Sequence, residues 1–361
     1  MCYLSAMVHE VLERFQGSHV RIRTVLVSVL AVALFAWFLR HANLGDVWVQ
    51  VRRARLDLLV VGFLMVVLSY VIRAYRWQYL LRPIGPTRFR TAFRTTVIGA
   101  AALGVLPARA GDVLRPYLLA RQEGLSTSAT FATIVMERVL DLIAMLVLLA
   151  MYVWGTASAS TLPASLLRGV EVSAALAGAA AVLLMALTWI MATHPERVGR
   201  LVFSAARMLP SAMADRLAGY ATTFSGGFAV ARAPQALAAA LFWSFLLWLV
   251  IAGEVWLVAM AFGIYLPFAG SFLVLALLTI GVAVPTPGGV GSYHEAYRIG
   301  VTMFFGAAND AAVAAALVTH AISFIPVVLA GVVFMAQDGI GFGRFTAVAP
   351  TTADEEMPAR P

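Results

Sequence analysis

Six stretches of this chain are apolar over the length needed to cross a bilayer: Ile22–Leu39, Leu56–Leu81, Thr127–Trp154, Val170–Met191, Ala236–Phe262 and Ala311–Met335. A helix rises 1.5 Å per residue, so about 20 residues reach across a hydrocarbon layer of about 30 Å. In lipid every backbone N–H and C=O must be paired inside the protein, which makes the helix the spanning form for runs of this length. The 361 residues are 61% hydrophobic and only 12% charged, against roughly a quarter charged in soluble domains. The expected fold is all-α, a polytopic transmembrane helix bundle with six full spans.

Two further elements are too short to cross. Thr95–Leu106 is broken by Pro107, and Phe268–Val284 stops at Pro285-Thr286-Pro287-Gly288-Gly289 before a second short run, Val290–Phe305. Both are expected to be broken or re-entrant half-helix elements, because non-helical backbone at that depth survives only inside protein or beside a wet cavity. Pro107-x3-Gly111 and Pro285-x3-Gly289 share a spacing, and the preceding spans begin near Asp57 and Gln235, the same distance before each proline. This predicts an inverted repeat with a site between the two breaks; the alternative is chance alignment of two Pro-Gly breaks.

The domain plan follows from these runs. Residues 1–21 form a cytoplasmic N-terminal segment, 22–336 the transmembrane domain and 337–361 a disordered tail rich in Pro, Thr and charge. The first run is too long for a signal h-region and is followed by Arg40-His41 rather than a cleavage site, so it stays as the first span. Within 194–233, Arg197, Arg200 and Arg207 recur near helical spacing opposite Leu201, Val202, Ala205, Met208 and Leu209, which predicts a helix on the membrane surface. The clusters Arg82–Arg94 and Arg197–Arg232 place both termini on the cytoplasmic side of an inner or plasma membrane, although Arg40, Arg52, Arg53 and Arg55 then fall outside.

All 26 basic residues are arginine, and the net charge is +8. Much of it lies in short loops beside spans, so the expected partners are lipids with anionic headgroups and not nucleic acid. A protein partner would be a second copy of the chain or a lipid-biosynthesis enzyme. Cys2 is the single cysteine and the six histidines show no ligand spacing, so no disulfide, metal or cofactor is expected.

Polar residues at membrane depth are costly and mark function, and they concentrate between Leu106 and Asp141. Arg109, Asp112 and Arg115 follow the first break. Guanidinium groups bind phosphate bidentately and a helix N-terminus near Gly111 adds donors, so an anionic phosphate is the expected ligand; the competing reading has these arginines snorkelling to the interface. Glu137, Arg138 and Asp141 project within an arc of roughly 100° on a helix, with Arg138 able to pair with Asp141. They form either a self-neutralising packing device or a polar wall along a headgroup path. Arg73 and Arg76, with Trp77, Tyr75 and Tyr79, are suited to the headgroup level. At the second break Gly288, Gly289 and Gly291 allow close backbone approach beside Tyr293, His294 and Glu295. Glu254 and His320 are lone polar residues in spans, read as hydrogen-bonded internally.

Taken together, Arg73-x2-Arg76-Trp77, the run LPARAGDVLRPYLL, the ERVLD that follows and PTPGGVGSYHEA resemble the flippase-like integral membrane domain of lysylphosphatidylglycerol synthases, in its stand-alone form, from about Ile22 to Met335. By position, Arg109, Asp112 and Arg115 match a PxRxG[ED]xxR pattern, Glu137, Arg138 and Asp141 its ERxxD, and Pro285, Pro287, Gly288 and Gly289 its PxPGG element. Asp112 stands where glutamate is commoner, and the Gly291–Glu295 spacing departs from some versions of the last motif. The resemblance implies a protein that translocates an anionic, aminoacylated or polyprenyl-phosphate lipid between leaflets, without a synthase domain and with no catalytic residue assigned. The alternatives are a membrane-embedded glycosyltransferase acting on a lipid phosphate, with Glu137 and Asp141 as its carboxylates, and an accessory subunit of lipid or envelope biosynthesis.

Overall fold

The computed structural model describes residues 26, 28–40, 42–105, 110–156, 164–206, 211–284 and 286–339. Among these the chain is helical throughout, with turns between helices and no strand. In chain order the helices are α1 (Ser28–Leu39), α2 (Leu44–Arg53), α3 (Leu56–Leu81), α4 (Phe89–Val105), α5 (Ala110–Glu123), α6 (Thr127–Thr156) and α7 (Ala164–Thr193). They continue as α8 (Pro195–Ala205), α9 (Ser211–Gly226), α10 (Pro234–Ala261), α11 (Gly270–Ala283), α12 (Ser292–Phe305) and α13 (Asn309–Gln337).

Three of these, α3, α10 and α13, are long and apolar enough to cross a membrane alone. The pairs α1–α2, bent by 81°, and Gly178–Thr193 with α8, bent by 96°, bring the number to five if each bent pair is one span. Helix α6 has 30 residues, a length of about 45 Å, and carries Glu137, Arg138 and Asp141 inside its apolar run. The result is a polytopic helical bundle. Helix α13 runs unbroken through Pro326, and the surface segment expected over 194–233 divides into α8 and α9, which pack on each other. Arg207 and the tail from residue 340 lie outside the described residues.

The two short elements are helical hairpins. Helices α4 and α5, of 17 and 14 residues, are about 26 and 21 Å long, and α11 and α12, of 14 each, about 21 Å. Each is shorter than the hydrocarbon layer, and in both pairs the second helix packs back on the first. The first hairpin closes through glycine: a Cβ on Gly111 would lie 2.0 Å from the Gly99 carbonyl oxygen. In the second, a Cβ on Gly281 would lie 2.8 Å from the Ser292 carbonyl oxygen. Helix α4 begins six positions before the expected Thr95. The basic residues that resemble a linker are helical because Arg94 is anchored, pairing with Asp338 at 2.6 Å and lying 4.7 Å over the Phe334 ring.

The repeat visible in the proline spacing is present in the packing. Long helix, hairpin, long helix describes both α3–α4–α5–α6 and α10–α11–α12–α13. Helix α3 packs on α10, its own counterpart. The contact of α4 with α13 is matched by α11 with α6, α3 with α6 by α10 with α13, and α10 with α6 by α3 with α13. Exchanging the two halves therefore reproduces the set of contacts among these eight helices.

The glycine crossing of the first hairpin has a direct test. Gly111→Ala forces a methyl group onto the α4 backbone and should destabilise the detergent-solubilised protein by about 2–3 kcal/mol. Gly253→Ala in α10, where a Cβ meets nothing within 4 Å, should leave the melting temperature unchanged or slightly raised. Equal melting of both variants, followed by tryptophan fluorescence, would contradict the crossing.

Candidate functional site: a buried arginine and carboxylate network

Four helices converge on one polar cluster inside the bundle. Helix α3 supplies Arg73, Arg76 and Trp77, α5 supplies Asp112 and Arg115, α6 supplies Glu137, Arg138 and Asp141, and α10 supplies Ser244 and Trp248. Helical spacing explains the grouping. Residues three or four apart share a face, which sets Arg73 with Arg76, Asp112 with Arg115, Glu137 with Asp141, and Ser244 with Trp248.

Arg76 is at the centre, with no exposed surface. Its Nη1 donates to Asp141 Oδ1 and to Ser244 Oγ at 3.0 Å, and Nη2 lies 3.6 Å from Glu137 Oε1. Arg115 holds Glu137 through two parallel bonds, Nη1 to Oε2 at 2.7 Å and Nη2 to Oε1 at 3.1 Å. Its guanidinium lies 3.9 Å over the Trp77 ring, whose indole N–H donates to Thr133 Oγ1 at 2.9 Å. Asp141 Oδ1 also accepts from Trp248 Nε1 at 3.0 Å. A charge taken out of water is tolerated when it is paired and hydrogen-bonded. Here each buried guanidinium and carboxylate meets an opposite charge.

The rim is looser. Arg138 is half-exposed, 3.8 Å from Asp112 Oδ1 and 3.6 Å from Asp141 Oδ2, so the expected pairing three residues on is present but long. Arg73 is half-buried, with its guanidinium carbon 5.8 Å from the Tyr70 ring centroid. Its Nε is buried without a hydrogen-bond partner, and Arg73 has no carboxylate partner among the described residues.

The structure thus brings Arg73, Arg76, Asp112, Arg115, Glu137, Arg138 and Asp141 to one place. Arg76 and Trp77, expected at the headgroup level, are fully buried inside the bundle, where the carboxylates of α6 reach Arg76 and Thr133 of the same helix accepts from Trp77. Arg115 neither snorkels to the interface nor stands free, since its fork is filled by Glu137. Pro287, Gly288 and Gly289 form a tight turn with φ of 59° at Gly288 and 72° at Gly289. The turn abuts the end of α4, where a Cβ on Gly288 would lie 3.2 Å from the Gly104 carbonyl oxygen. Glu295 does not join the network among the described contacts; Arg298 holds it at 2.5 and 2.8 Å. Arg109 and Pro285 lie outside the described residues. Ser244 and Trp248 are site residues that sequence reasoning missed. Their only signal is a serine and a tryptophan one turn apart in an apolar span.

Removing one partner of a buried pair leaves the other charge stranded. Glu137→Gln should therefore cost about 3–5 kcal/mol, and the double variant Glu137→Gln with Arg115→Gln should lose less than the sum of the single losses by about 1 kcal/mol or more. Additive losses in detergent unfolding would show that the bidentate contact carries no coupling energy.

Comparison with known proteins agrees with this architecture. Residues 24–331 match the family described as the lysylphosphatidylglycerol synthase TM region. The glycosyltransferase AglD of Haloferax volcanii is 26% identical over 334 residues, 85% of this chain and 53% of the relative. A UPF0104 membrane protein of Methanocaldococcus jannaschii is 27% identical over 88 residues, 24% of this chain and 26% of the relative. The match spans about half the length of the first relative and a quarter of the second. With the match running from the first described helix into the last, the chain belongs to the lysylphosphatidylglycerol synthase transmembrane-region family.

Proposed function

We propose that this protein binds the phosphate headgroup of an anionic lipid beside Arg73 and moves that lipid between leaflets. The observation that carries the reading is the charge balance of the network. Among the described residues Arg73, Arg76, Arg115 and Arg138 face Asp112, Glu137 and Asp141, a surplus of one positive charge. A phosphodiester carries one negative charge and offers acceptor oxygens to a guanidinium. Arg76 and Arg115 are held by carboxylates, so they fix the electrostatic field of the site. Nitrogens of Arg76 and Arg115 also lack hydrogen-bond partners, but Arg73 is the guanidinium that pairs with no carboxylate among the described residues, and so the group with bonds to give. Half-exposed Arg138, whose contacts are long, is the second. Membership of a family named for lysylphosphatidylglycerol synthases supports an aminoacylated or other anionic lipid as cargo.

A second reading, a membrane-embedded glycosyltransferase acting on a lipid phosphate, is favoured by the similarity to the glycosyltransferase AglD at 26% identity. The carboxylates argue against it. Glu137 and Asp141 are buried and bonded to arginines, whereas a general base must reach its substrate's proton. Sugar transfer from a labelled nucleotide-sugar donor by the purified protein, lost in Glu137→Gln, would favour this reading.

Proteoliposomes carrying labelled phosphatidylglycerol, its aminoacyl ester or a polyprenyl phosphate test the first reading. The wild type should accelerate leaflet exchange of at least one of them. Arg73→Gln should slow exchange by about tenfold or more, since a hydrogen bond to a charged group is worth about 1.5–3 kcal/mol, and should leave the melting temperature intact because no carboxylate is stranded. Exchange that is equally fast with and without protein would overturn the proposal.

A further inference from the structure

The second half of the molecule holds a different polar site at the matching place. Pro107 and Pro285 are 178 positions apart (285 less 107), and the same offset carries Gly111 to Gly289, Arg76 to Glu254, Arg115 to Tyr293 and Asp141 to Thr319. The junction of α3, α5 and α6 that holds the arginine network therefore corresponds to the junction of α10, α12 and α13. In place of ion pairs this second junction holds one acid among hydroxyl and imidazole groups.

Glu254 is 5% exposed, and its Oε1 accepts a bond from Ser323 Oγ of α13 at 2.5 Å. Tyr70 of α3 and Tyr293 and Tyr297 of α12 lie within electrostatic reach. Helix α11 presents no titratable side chain, and no arginine among the described residues pairs with Glu254. A carboxylate buried without a cation is costly to keep ionised, and a bound proton removes that cost. A sodium ion needs several oxygen ligands, whereas one carboxyl with one hydroxyl donor suits a proton.

Two histidines connect this acid to the second break. His320 lies three positions before Ser323 on α13, on the same face. Its Nε2 is 2.8 Å from the Gly288 carbonyl oxygen, an acceptor, so that nitrogen carries the hydrogen and donates. The His294 ring is 4.5 Å from the His320 ring, and its Nδ1 accepts from the Gly291 N–H at 3.3 Å. That nitrogen must be bare to accept, so a proton placed on it breaks the bond. The Tyr293 ring lies 5.3 Å from His320 and within electrostatic reach of Glu254. Gly288, Gly289 and Gly291 all have positive φ, from 59° to 87°, and α1 presses on the turn, where a Cβ on Gly291 would lie 2.5 Å from Leu34 Cβ.

We propose that Glu254, with His294 and His320, forms a proton-binding site whose loading moves the Gly288–Gly291 turn. Proton binding here is independent of the lipid reading above; its use to drive lipid movement rests on that reading.

The test uses the full chain in nanodiscs. Infrared difference spectra between acid and neutral pH should show a protonated-carboxyl band that is absent in Glu254→Gln, present in Glu295→Gln, and shifted in Ser323→Ala, which removes the hydrogen bond and keeps the acid. A band that persists in Glu254→Gln, or that responds to sodium at fixed pH and not to pH, overturns the site. For the turn, Thr286→Cys in a Cys2→Ser background provides a single thiol. Its maleimide labelling rate should change with pH by roughly fivefold, and the change should vanish in Glu254→Gln. Labelling that ignores pH, or a pH effect untouched by Glu254→Gln, overturns the link. Both readouts need no cargo, so absence of lipid exchange would remove the lipid reading without touching this one.

Discussion

Burial of Arg76 between Glu137 and Asp141 is the constraint on which the arrangement of the first half depends. A guanidinium with no exposed surface requires counter-charges from another element, which fixes α6 against α3. Glu137 in turn recruits Arg115, which fixes the returning limb of the first hairpin. Ser244 and Trp248 bring α10 to the same point. In a medium where side-chain hydrophobicity gives helices little reason to associate, polar contacts of this kind and close small-residue packing select one arrangement among many. The Gly99–Gly111 crossing supplies the second of these within a few residues of the first.

Much of the fold was legible in the chain. Runs of about 20 apolar residues leave one solution for the backbone, so the long helices follow from length, and the two prolines with their glycines mark where shorter helices turn back. The repeat was legible as a spacing, and the packing of α3 on α10 with its matched neighbours gives that spacing a spatial meaning. The start of α4 was not legible, because Arg90 and Arg94 read as a basic linker until Asp338, more than 240 positions later, is seen to neutralise Arg94.

The candidate site was legible by residue type and not by connection. Arginine, glutamate and aspartate stand out in an apolar chain, but nothing in the order of residues says that Arg115 pairs with Glu137 while Arg73 pairs with none among the described residues. That distinction separates groups that hold the site together from groups with bonds to give. The tryptophans were less legible still: Trp77 serves as the face on which Arg115 rests, and Trp248 as a donor to Asp141. Both are roles set by distant helices.

The contact between α3 and α10 behaves as the spine of a book whose covers are the two halves. A Cβ on Gly62 would meet Val258 at ordinary van der Waals distance along it; the Arg76–Ser244 bond stitches α3 to α10, and the Trp248–Asp141 bond ties α10 to α6 beside it. Any motion of one cover against the other either turns about this spine or tears charged groups from their partners inside hydrocarbon. Motion that keeps the spine fixed must instead alter outer contacts such as α4 with α13 and α6 with α11, and the first of these carries the Arg94–Asp338 pair.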